Sequence, residues 1–154
     1  MTETQSDFAN PLFDLMKETF EEPTGIYLDK DTSLFQTLDA VDAWKASIPV
    51  GGKCASLAAQ VAHVTFYIES FERYALQHDA SPRDWGHIWK TVEKVDPEEW
   101  ENLKARLREA YQRMDKLFHT NELWNEENIG GALSIVVHTA YHLGEIRQAL
   151  CTVV

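Results

Sequence analysis

A chain of 154 residues and 17.6 kDa is long enough for one domain to bury a proper core without staples. Its 14 Lys and Arg against 25 Asp and Glu leave a formal charge of −11. That balance argues against a nucleic-acid backbone or an anionic membrane surface as partner, because both are bound through Lys and Arg. The polar, acidic start from Met1 to Asp7 does not read as a signal peptide, and no apolar run nears the roughly 20 residues of a bilayer span. Cys54 and Cys151 are too few for a disulfide framework and read as reduced packing residues. The expectation is a soluble, cytoplasmic, single-domain protein over residues 1–154.

Helical signals dominate, and nothing reads as a hairpin. Asn10 as cap with Pro11 at the first helical position predicts a short first helix, with Leu12, Leu15, Met16, Thr19 and Phe20 on its apolar face and a stop near Pro23-Thr-Gly25. Asp31 or Thr32 opens a second, carrying Leu34, Leu38, Val41 and Ile48 up to the break at Pro49-Val-Gly-Gly52. From about Ser56 to Gln77, the residues Leu57, Val61, Val64, Ile68, Phe71 and Ala75 alternate steps of four and three, as along a packing seam between helices.

A loop of about twenty residues follows, containing Trp85 and Trp89; connections this long are uncommon and often functional, or carry the chain across the end of a bundle. Asp96-Pro97-Glu98-Glu99 then combines an N-cap, a proline at the first helical position and a capping-box glutamate. The helix it starts repeats Trp100, Leu103, Leu107, Ala110, Met114 and Leu117 to about His119, and the last helix runs from about Asn128 to Cys151. The fold class is all-α: a four-helix bundle with a short extra N-terminal helix.

The last helix divides into two faces. Ile129, Leu133, Val136, Ala140 and Leu143 form an apolar stripe; opposite lie Gly131, Ser134, His138, His142, Glu145 and Ala149. A helix buried on two sides often gives one of them to a subunit interface, which predicts a homodimer.

His138 and His142, four residues apart, point the same way from one helix at a spacing that can grip a metal ion. A catalytic site usually needs a third ligand. His78, His87 and His119 fall in loops or at helix ends and read as surface residues. His63 is mid-helix in Ala58-Ala-Gln-Val-Ala-His63-Val, beside Gln60 and Tyr67, where an imidazole needs a partner. A histidine in such a place is often a hydrogen-bonded core residue; three of them on two buried helices, with Glu145 one turn away, favour a shared cation.

His63, the pair in His138-Thr-Ala-Tyr-His142-Leu-Gly-Glu, Glu18-Thr-Phe-Glu21, Thr37-Leu38, Pro49-Val-Gly-Gly52 and Asp84-Trp85…Trp89 follow in an order that resembles the DinB/YfiT-like superfamily over most of the chain. The resemblance implies a four-helix bundle, usually dimeric, with a divalent metal held by three histidines; relatives include thiol-dependent transferases and a thiol-using isomerase. Many relatives have glutamine where this chain has Glu145.

Three neutral imidazoles suit Zn²⁺, Ni²⁺, Fe²⁺ or Mn²⁺ and leave coordination positions open. Such an ion lowers the pKa of a coordinated water or thiol, so hydrolysis and thiol transfer are both open. Glu145 is a candidate ligand, imidazole acceptor or base, unless it pairs with a basic side chain. Tyr67 is a candidate donor to an oxyanion or a rim residue, and Trp85 and Trp89 either wall the pocket mouth or cluster under the loop. The functional reading is a metal-dependent transferase or hydrolase with an unknown small-molecule substrate; the alternative is a non-catalytic, dimeric metal- or ligand-binding stress-response protein.

Overall fold

A computed structural model of the chain describes residues 3–120 and 126–152. Among these there are seven α-helices and no strand: α1 (Glu3–Phe20), α2 (Leu34–Asp39), α3 (Ala43–Ala46), α4 (Leu57–Gln77), α5 (His87–Thr91), α6 (Pro97–Phe118) and α7 (Glu126–Leu150). No helix among the described residues is long and apolar enough to cross a membrane.

Four of the helices are long, with 18, 21, 22 and 25 residues in α1, α4, α6 and α7. The first is therefore not the short helix expected from Asn10. It starts at Glu3 and carries Pro11 inside it, on the exposed side. The buried face already includes Ala9, before the proline, and continues through Leu12, Met16 and Phe20. The preceding polar residues have no apolar rhythm that would mark them as helical.

The expected second helix is instead two short ones. Ser33, not Asp31 or Thr32, caps α2 in a capping box with Gln36, and Asp42 caps α3. A continuous helix would bond the Val41 carbonyl to the Lys45 amide. Here the Trp100 indole donates to the Val41 carbonyl at 2.7 Å, and Lys45 donates to the Asp42 carboxylate at 2.8 Å. Both groups are satisfied without the helix, so it breaks. Trp100, fully buried, ties the start of α6 to this break.

The capping box of α6 is where the sequence placed it, with Asp96 and Glu99 over Pro97, and α4 is capped by Ser56, whose side chain accepts from the Ala59 amide. Arg106 binds Glu69 and Arg113 binds Glu72, so residue numbers rise together and α4 and α6 run parallel. Phe13 stacks on His119 and Phe20 on Tyr111, so α1 and α6 are antiparallel. Parallel neighbours demand a connection that travels back the length of α4. The long segment after His78 does this. Trp85 lies against Phe66 and Tyr67, Trp89 against His63, and Val95 bonds Ser47, with the short helix α5 formed on the way.

Two expectations fail on exposure. Cys54 and Cys151 do not pack but are exposed. In α7 the buried residues Ala132, Ile135, Val136, Thr139, Leu143 and Ile146 form one arc with His142 on its edge. The expected two faces are not opposite buried sides, and Leu133, at 40% exposure, belongs to an outward strip with Val137 and Tyr141.

Candidate metal centre

The helices α4 and α7 pack antiparallel. His142 pairs with Gln60, His138 meets His63, and Phe71 lies against Gly131, so numbers fall on one helix as they rise on the other. This register brings the mid-helix histidine to the His138/His142 pair. One ring nitrogen from each of His63, His138 and His142 lies within 4.8 Å of the other two, and the group could hold a metal ion.

The Nε2 atoms of His63 and His138 are 3.1 Å apart. Corners of a tetrahedron whose centre is about 2.0–2.1 Å from each nitrogen, as in zinc sites, are separated by ~3.3–3.4 Å, so the pair is slightly contracted from that spacing. His142 turns its Nδ1 outward, 3.0 Å from the Gln60 Oε1 and 3.0 Å from the Glu145 Oε2. A ring N–H donated there leaves Nε2 as the unprotonated nitrogen facing the other two rings. Glu145 thus lies on the outer side of His142 as an acceptor, and Tyr141, four residues before it, is hydrogen-bonded to its carboxylate, which raises the phenol's pKa.

Burial shapes the protonation. His63 and His138 are each pushed down to about 4, first by desolvation and then by neighbouring imidazoles; Glu145 opposes the shift weakly at His63. His142 is lowered too, again by desolvation, with Glu145 opposing. At neutral pH all three rings are neutral, the state a metal requires.

The outer nitrogens of His63 and His138 are treated differently from that of His142. Both Nδ1 atoms are buried and have no hydrogen-bond partner among the described residues. Aromatic packing orients these rings instead: Tyr67 stacks on His138 with centroids 3.9 Å apart, and Trp89 lies 4.4 Å from His63. The Tyr67 ring thus walls His138 on one side. Trp85 and Trp89 do wall the site, Trp85 at 6.3 Å from His63.

Two clefts flank the cluster. One, of about 500 Å³, is lined by Tyr67, Leu133, Ser134, Val137, His138 and Tyr141. The other, of about 280 Å³, includes Cys54, Gln60, Trp89, His142 and Glu145. His78, His87 and His119 lie elsewhere and exposed, as expected; His119 donates its Nδ1 hydrogen to the Asp115 carbonyl. The sequence reading missed Tyr141, although its spacing of four from Glu145 on one helix face was a usable signal. No family model matches the chain, and no curated protein or solved structure matches it.

Proposed function

We propose that the chain is a DinB/YfiT-like four-helix bundle, formed by α1, α4, α6 and α7, in which His63, His138 and His142 hold one divalent metal ion for a transferase or hydrolase reaction. The observation that carries this reading is the convergence of three imidazole nitrogens within 4.8 Å in a largely buried place. Two neutral imidazoles can share one proton between facing nitrogens; a third lone pair aimed at the same point has no donor. Burying it so costs on the order of 1–3 kcal/mol, and a cation serves all three.

The donor set fits Zn²⁺, Ni²⁺, Fe²⁺ or Mn²⁺, and three protein ligands are the number that leaves positions for substrate. A bound ion would supply Lewis acidity to a water or thiol. The chain's own contribution is the placement around it. Gln60 and Glu145 hold the His142 ring by its Nδ1 hydrogen, Tyr67 and Trp89 fix the other two rings, and the open cleft at His138 admits a small molecule. Elemental analysis of protein purified without an affinity tag tests the reading. We expect one equivalent of a divalent metal, lost with His138→Ala; no metal in the native protein and unchanged stability in that variant would overturn it.

A further inference from the structure

The cleft at His138 does not end there. Tyr67 and Ser134 line both it and a further cleft of about 280 Å³ that reaches Phe71, Tyr74, Trp85 and Arg83. Together they form one trough along the α4–α7 seam, starting beside the histidines. Its length follows from the helix rise: from Tyr67 to Tyr74 is roughly 10 Å along α4. Its wall near the histidines is apolar, built from Tyr67, Leu133, Val137 and Tyr141, and the last three are exposed at 40%, 67% and 61%.

Its depth depends on a glycine. A Cβ on Gly131 would lie 2.0 Å from the Phe71 ring, so glycine lets that ring come close against α7 there. The far end turns polar, at Ser70, Asp79 and Arg83, where Arg83 is paired with Asp79 at 3.0 Å. The Oγ of Ser70 and the Nε of Arg83 are buried there with no hydrogen-bond partner among the described residues.

We infer that this trough takes an elongated apolar ligand, whose metal-binding head group sits at His138 and whose alkyl or aryl body lies along the α4–α7 seam toward Arg83. The inference rests on the metal reading above. It commits to a small molecule because the apolar strip is continuous with the three-histidine cluster at one end and closed by a polar cluster at the other.

A homologous series of n-alkyl hydroxamic acids tests it, titrated calorimetrically into zinc-loaded protein whose zinc content is measured beforehand. Affinity is expected to rise about two- to fourfold per methylene, the return for burying one CH₂ in a partly open groove, and to level off at roughly eight carbons. Ser134→Trp, at an exposed position, fills the trough and is expected to abolish the rise while leaving zinc content unchanged. A flat series on protein that holds its zinc overturns this inference and leaves the metal reading intact. So does a dimer that Ser134→Trp disrupts, because a second copy would then occupy the strip. Failure to load any of Zn²⁺, Ni²⁺, Fe²⁺ and Mn²⁺ overturns both.

Discussion

Glu145 and Glu18 show how differently two carboxylates can serve one helical protein. Glu145 holds its Oε2 3.0 Å from the Nδ1 of His142. A carboxylate there increases the ring's basicity toward a metal on Nε2. Glu145→Gln is expected to weaken zinc binding about tenfold, read by competition with a chromophoric chelator, because Gln60 still orients the ring but the charge is gone. Unchanged affinity would mean that orientation alone matters. Glu18 is fully buried and accepts from the Thr24 amide and hydroxyl and from the Ile26, Tyr27 and Leu28 amides. Burial alone would raise its pKa; the Thr24 hydroxyl and the three amides outweigh it and hold the carboxyl well below the usual range. The loop can wrap it because Gly25 takes φ +87, a left-handed conformation that favours glycine. Glu18→Gln puts an NH₂ against these donors and is expected to cost about 3 kcal/mol in urea unfolding.

At the scale of the elements, the seam between α4 and α7 does two jobs. It is a packing interface, and its register makes the histidine cluster. Gly131→Ala tests how tightly it is set. Alanine favours a helix interior by ~1 kcal/mol over glycine. The added methyl group nevertheless meets the Phe71 ring, which is itself packed against Phe118 with centroids 5.5 Å apart. A net loss of about 1–2 kcal/mol is expected by thermal or urea unfolding, since overpacking outweighs propensity. A gain in stability would show that Phe71 can swing away freely. The segment after α4 is the other element with a double role. In returning the chain to the start of α6 it carries Trp85 and Trp89 past the histidines, so a connection forced by parallel helices also walls the site.

For the whole molecule, titration and metal binding both become stability. In metal-free protein His63 and His138 have pKa values near 4 against 6.5 in the unfolded chain. As pH falls below 6.5 the unfolded chain takes up protons first, so stability is full above that pH and declines down to about 4. The Glu18 carboxyl adds a second loss, beginning below its ordinary value of 4.5 and continuing as pH falls further. Urea midpoints are therefore expected to be flat from pH 8 to 7 and to fall in two stages, the upper of which shrinks in His138→Leu. Zinc at about a thousand times its dissociation constant should stabilise the protein by ~4 kcal/mol. For a chain of this size that raises Tm by roughly 10 °C, and chelation should reverse it.

Much of this molecule can be read from local pattern. The apolar seams of α4 and α6, the caps at Ser56 and Asp96 and the spacing of His138 and His142 are all encoded within a few residues of one another. Periodicity and capping are short-range effects, so the chain alone specifies them. The break between α2 and α3 is different: it depends on Trp100 taking the Val41 carbonyl from 59 residues away. So does the triad. His63 and His138 are 75 residues apart, and only the antiparallel packing of α4 on α7 decides that their Nε2 atoms meet. The same packing decides that Gln60 and Glu145 share one imidazole hydrogen, and that Tyr67 supports a ring rather than standing free. Long-range partners have no local signature, because what selects them is the fit of whole helix surfaces.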